Sequence, residues 1–197
     1  MMTLRESSWR HLVLLPLATV WFLFCHPYTV PHWVLASGAA LFVVGEGLRI
    51  WATGYLHKDE ILTIGGPYLY VRNPMYVGTL LIGVGLLAAG GDRILLGAFL
   101  AIFFLYYMPR KERREGTRLL RKFGADYARY VVSVGALVPN MRRYDVAEPA
   151  RFSLRQVFRN NEHQAALSLL AAVGILALKL AWLGSWVALP GSVGRYL

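Results

Sequence analysis

Residues 65–78 read G-G-P-Y-L-Y-V-R-N-P-M-Y-V-G and lie between two long apolar runs. Arg72 and Asn73 are charged or polar, Tyr68, Tyr70 and Tyr76 are aromatic, and Pro67, Pro74 and the glycines break regular backbone. Backbone in lipid must satisfy its own hydrogen bonds, and irregular backbone is tolerated there only where it lines a cavity. The stretch therefore predicts a shaped, polar, water-accessible pocket at a membrane boundary. Other residues could also do chemistry. Glu115 stands in a cationic run beside Arg113, Arg114 and Arg118, where an i,i+3 or i,i+4 surface pair would equally explain it. Glu46 and Arg49, three apart in an apolar segment, can pair on one helical face. Lys179 lies in another apolar segment, where it can snorkel, pair or line a cavity. His57, Asp59 and Glu60 cluster without a second half at metal-ligand spacing, so they read as loop polarity and no metal is expected. Gly83-Val84-Gly85 with Ala88 resembles half of a dinucleotide fingerprint, but no strand precedes it. Small residues in an apolar helix read instead as close helix packing.

The elements that position these residues follow from composition. Of 197 residues, 56% are hydrophobic and 16% charged. Soluble domains carry about 25% charged residues. The expected fold is all-α, a single polytopic membrane domain over 1–197. Five spans near the ~20-residue crossing length are expected, at about 11–27, 33–56, 75–90, 94–109 and 164–189. The first has no small-x-small cleavage site after it and is read as retained. The turn at 90–93 makes spans three and four an antiparallel hairpin, and Pro109 is expected to end span four.

The net charge is +10, and residues 110–162 hold 13 Lys/Arg against 6 Asp/Glu, or +7 of it. The positive-inside rule then places the N-terminus, 57–74 and 110–162 in the cytoplasm. Over 110–130, Leu119, Leu120, Phe123, Tyr127 and Tyr130 recur at helical spacing among arginines and lysines, the pattern of a basic amphipathic helix at the interface that Gly124 can split. A loop is expected over 131–150 and a second amphipathic piece over 152–158. Anionic lipid headgroups are the expected partners of this basic surface, and nucleic acid is not. The single cysteine, Cys25, excludes an internal disulfide.

Gly66-Pro67-Tyr68 followed by Arg72-Asn73-Pro74-Met75-Tyr76-Val77-Gly78 resembles the G-P-Y-x-x-x-R-H/N-P-x-Y-x-G motif of the isoprenylcysteine carboxyl methyltransferase and phospholipid methyltransferase superfamily. Glu115…Leu119, Phe123-Gly124, Tyr127, Tyr130 and Pro139 resemble its second motif, and Arg49-Ile50-Trp51-Ala52 the end of its second helix. The resemblance covers about 40–140, leaving the fifth span outside the shared core. The chain departs from the family at Asn73 (often His), Gly116 (Glu), Ser133 (a basic residue) and Gly135 (Pro).

The resemblance implies an integral membrane enzyme, and the bacterial inner (plasma) membrane is its expected location. It implies S-adenosylmethionine as the cofactor, bound on the cytoplasmic side, and a lipid-like acceptor, either an isoprenylcysteine-type carboxylate or a phospholipid amine. Tyr68, Tyr70, Arg72, Asn73, Pro74, Tyr76 and Glu115 are the implied cofactor-binding residues. Arg49, Trp51, Tyr127 and Tyr130 are the implied substrate-binding ones. Arg72 and Glu115 are catalytic candidates, and no general base is assigned. Glu115 suits the cofactor's ammonium and Arg72 its carboxylate. Two other classes stay open: a membrane oxidoreductase of the sterol-reductase-like kind, which would bind NADPH, and a non-catalytic scaffold, which would bind lipid alone.

Overall fold

The structure, a computed structural model, describes residues 30–57, 60–140, 142–145 and 149–163, with scattered helical positions from 166 to 178. The expected first span, Cys25, Lys58, Asp59, Lys179 and much of the expected fifth span lie outside the described residues. Among the described residues every regular element is helical. In chain order these are α1 His32–Tyr55, a 3-10 turn Gly66–Leu69, α2 Pro74–Ala89, α3 Arg93–Ile102, a π-helical segment Phe103–Tyr107, α4 Met108–Ser133 and α5 Leu154–Arg159.

α1 and α2 pack antiparallel through a seam of small residues. Gly38, Gly45 and Ala52 recur every seven positions on α1, and Gly78 and Gly85 do so on α2; all are buried. A Cβ on Gly38 would lie 2.6 Å from the Gly85 carbonyl oxygen, and one on Gly45 would lie 2.7 Å from that of Gly78. Such approach leaves no room for side chains and lets dispersion hold two apolar helices together without a hydrophobic drive. Gly83 turns the other way, onto the Phe99 ring of α3. The Gly83-Val84-Gly85 triplet is thus a packing device with α1 on one side and α3 on the other. The turn into α3 is capped by Asp92, whose Oδ1 accepts from the Ile94 and Leu95 amides at 2.9 Å each.

Among the described residues, two helices have the length and apolarity to cross a bilayer: α1, and the helix running from Arg93 to Ser133. In their most apolar 18-residue windows only 17% and 11% of residues are buried. Apolar helices that bury so little against protein must meet another apolar medium, and lipid is that medium. α2 is shorter but equally apolar in kind.

Pro109 does not end the helix that carries the fourth span. The helix runs through it to Ser133. In a regular α-helix Pro109 would leave a carbonyl unpaired and press its ring on the preceding turn. The π segment just before it widens that turn, and the Met108 amide reaches back to the Phe103 carbonyl, five residues away. The expected loop accordingly starts at 134 rather than 131. Gly124 is the real break: its φ of 51° and ψ of −123° lie where only glycine sits at ease. The arm after it folds back, so that a Cβ on Gly116 would lie 3.5 Å from the Tyr127 hydroxyl.

The segment after α4 returns across the helix ends as a strap. Its amides reach the 64–73 stretch and α1: Asn140 to the Tyr70 carbonyl (2.7 Å), Tyr144 to Leu69 (2.9 Å), Ala150 to Ile64 (2.9 Å) and Ser153 to Gly54 (2.9 Å). Asn160 Nδ2 then donates to the Leu56 carbonyl at 2.9 Å and to the Thr53 carbonyl at 3.3 Å, the latter shared with the Leu56 amide, where α1 ends. Beneath the strap lies a core of Ile64, Leu69, Tyr127, Tyr130 and Val134, flanked by Leu119, Phe123 and Tyr144.

Candidate functional site

The 65–78 stretch and α4 meet at the head of α2. The 3-10 turn buries Pro67, Tyr68 and Leu69. The Tyr130 hydroxyl, 2% exposed as a residue, donates to the Tyr68 carbonyl at 2.7 Å. Arg72 and Asn73 then leave the turn with their amides bonded to the Gly135 and Ala136 carbonyls at 2.8 and 3.1 Å. Pro74 starts α2, a position where its missing amide costs nothing.

Arg72 is a clamp. Its guanidinium donates to the Val131 carbonyl at 3.1 Å and pairs with Glu112. Residues 112 and 131 belong to the two arms of α4 on either side of the Gly124 break, so one side chain fixes the fold of both. Glu112 was invisible as a partner in the sequence, where it reads as one more carboxylate among arginines.

Tyr76 reaches the same helix one turn on. Its hydroxyl donates to Glu115 Oε2 at 2.5 Å, and its ring stands edge-to-face on Tyr107 of the π segment, centroids 5.8 Å apart. Lys111 Nζ lies 3.7 Å from the other Glu115 oxygen. Asn73 heads α2 without capping it, and its Nδ2 is shielded from solvent with no hydrogen-bond partner among the described residues. A buried donor without an acceptor costs about 1–3 kcal/mol. Glu115 and Asn73 thus offer an anionic acceptor and an unused donor at one edge of α2.

The other implied residues have different settings. Tyr68, Tyr127 and Tyr130 are packed in the core under the strap. Burial first, then the neighbouring Tyr130 and the carboxylates of Glu115 and Glu162, holds the Tyr68 phenol well above its ordinary range. Tyr70 and Trp51 are exposed. Arg49 sits on the α1 side of α2, donating to Thr79 Oγ1 at 2.8 Å and to Glu162 Oε1 at 2.7 Å. Glu46, the partner its spacing suggests, stands further off at 3.8 Å. Glu162 is a lone carboxylate just before an apolar run, and that isolation is the signal that could have marked it.

A model of the phospholipid methyltransferase family matches residues 33–126. The cobalt-zinc-cadmium resistance protein CzcN of Cupriavidus metallidurans is 31% identical over 146 residues, covering 71% of this chain and 66% of that protein. The protein-S-isoprenylcysteine O-methyltransferase of Tribolium castaneum is 25% identical over 127 residues, covering 58% of this chain and 45% of that protein. The solved structure of the eukaryotic intramembrane Ras methyltransferase ICMT (isoprenylcysteine carboxyl methyltransferase) superposes with a TM-score of 0.52 at 21% identity, over 69% of this chain and 54% of that one. That last likeness is one of fold. The match spans less than two thirds of each of these proteins.

Proposed function

We propose, from the premise that this chain belongs to the isoprenylcysteine carboxyl methyltransferase and phospholipid methyltransferase superfamily, that it is a membrane methyltransferase using S-adenosylmethionine. The acceptor is a lipid-like molecule held in the bilayer, and the cofactor binds on the cytoplasmic side. One observation carries the reading: Tyr76 of the 65–78 stretch and Glu115 of α4 share a hydrogen bond at 2.5 Å, which brings the two motifs into contact.

The residues present suit the cofactor's polar groups. Glu115 keeps lone pairs free beyond those used by Tyr76, and an ammonium would take them. The unused Asn73 Nδ2 donor suits a carboxylate or an adenine nitrogen. When bound, S-adenosylmethionine would supply an activated methyl group on a sulfonium. The chain's own part is alignment and exclusion of water, and orientation alone can contribute roughly 7–11 kcal/mol. Arg72, already committed to Glu112 and Val131, acts here as a positioning residue that holds the Glu115 helix against α2. An anionic carboxylate acceptor needs no base, whereas a lipid ammonium must first lose a proton.

Calorimetry on the full chain in detergent tests the reading. Saturable binding of S-adenosylmethionine is expected, weakened on the order of 10–100-fold in Glu115→Gln and in Asn73→Ala, the range of a lost hydrogen bond to a charged group. Absence of saturable binding, or affinity unchanged in both variants, would overturn it. Saturable NADPH binding in its place would favour the oxidoreductase class. Lipid mass spectrometry of cells with and without the protein would then reveal the acceptor by its added methyl mass.

A further inference from the structure

The face of the long helix turned away from Tyr76 and Glu115 carries a feature the proposed reaction does not use. A cleft of about 400 Å³ opens there, lined by Leu105, Tyr106, Pro109, Arg110, Arg113 and Arg114. Arg49, Arg72, Arg129 and Arg159 are all paired with carboxylates. Among the described residues, no carboxylate pairs with Arg110, Arg113 or Arg114. Three uncompensated cations within five residues repel one another unless an anion joins them.

The other end of the cleft is apolar and uncovered. Leu105 is 81% exposed and Tyr106 60%. The Arg110 guanidinium lies over the Tyr106 ring, 5.6 Å from its centroid, and that contact orients it along the cleft. From Leu105 to Arg114 the helix rises about 14 Å. Within that distance its surface passes from bare hydrocarbon to bare guanidinium, the order met along a phospholipid from acyl chain to phosphate.

We propose that Arg110, Arg113 and Arg114 form a headgroup site for one anionic membrane phospholipid, its phosphate held by the guanidinium groups and its upper acyl chain lying along Leu105 and Tyr106. Arginine suits this role because its planar fork binds phosphate oxygens in pairs. The proposal concerns binding alone and stands whether or not the chain transfers methyl groups.

The test is native mass spectrometry of the full chain in detergent, titrated with phosphatidylglycerol or phosphatidylcholine. Preferential retention of phosphatidylglycerol is expected. The Arg110→Gln/Arg113→Gln/Arg114→Gln variant should bind it on the order of 100-fold more weakly, at about a factor of five per arginine. An Arg142→Gln/Arg143→Gln/Arg155→Gln variant loses the same charge from exposed positions elsewhere and should retain most of the binding. Equal loss in the two variants would mean general charge attraction and overturn the site. So would the absence of any preference for phosphatidylglycerol, or its displacement by inorganic phosphate at equal concentration. If the triple variant fails to fold by circular dichroism, Arg113→Gln and Arg114→Gln singly should each give an intermediate loss, and unchanged binding in both would be equally fatal.

Discussion

Tyr68 sits in the motif that the sequence singles out, yet its ring is buried under the strap rather than open to a ligand. Its phenol is held neutral, mainly by burial. A phenol whose folded value is raised above its unfolded one adds stability that is complete below about pH 10, the unfolded value, and is lost as the pH climbs toward the folded value. Thermal unfolding in detergent should therefore show a midpoint that drops above about pH 10, and Tyr68→Phe should flatten that alkaline limb. A limb of the same steepness in the variant would mean other groups carry it. Arg72 gives the companion lesson. Its type and position suggest a ligand for a carboxylate, and the structure shows it holding two protein partners. Nothing in the local sequence distinguishes these roles, because the partners lie 40 and 59 residues away.

At the scale of elements, the α1–α2 seam sets the level at which Arg49 and Tyr76 stand. Gly45→Ala and Gly78→Ala would each drive a methyl group into a carbonyl about 2.6–2.7 Å away. Overpacking of this kind costs about 1–3 kcal/mol. Gly47, on the same helix, has nothing within 4 Å of its missing Cβ. Unfolding midpoints in detergent should fall for the first two substitutions and stay level or rise for Gly47→Ala, and a similar fall in all three would show the seam to be unimportant. The apolar helices were legible in the sequence to within a residue or so, because length and composition alone decide them: α1 runs His32–Tyr55 and α2 Pro74–Ala89. The Gly124 break was legible too, since glycine inside an amphipathic pattern has few other uses. Continuation through Pro109 was not. Proline normally ends a helix, and the π turn that accommodates it has no compositional signature in Phe103–Tyr107.

For the molecule as a whole, the strap ties the interfacial segment to the spans. Asn160 closes the end of α1, Arg159 pairs with Glu60 at 2.5 Å, and Glu162 pairs with Arg49. The Arg159 pair is exposed and worth little. The Glu162 pair is nearly buried, and removing one partner of a buried pair costs about 3–5 kcal/mol because the other charge is stranded. Glu162→Ala should thus destabilise far more than Glu60→Ala in thermal unfolding of the full chain, and equal effects would show that the strap is not anchored there. These closures join residues about a hundred positions apart, so no local pattern could announce them.

The π segment has a consequence of its own. A five-residue turn in place of a four-residue one acts as a single-residue insertion in an otherwise periodic helix. Everything downstream is rotated by about 100° relative to an uninterrupted helix, with little change in length. Glu112 and Glu115 owe their facing toward α2 to that offset, and Arg110, Arg113 and Arg114 owe to it their facing outward. The bulge works as a phase element: it sets which side of the arm before Gly124 faces α2 and which faces away. A length change of one residue between 103 and 107 would turn both faces by about 100°, moving Glu115 off α2 and the arginines off their present side, while leaving the span, its hydropathy and its motif residues intact.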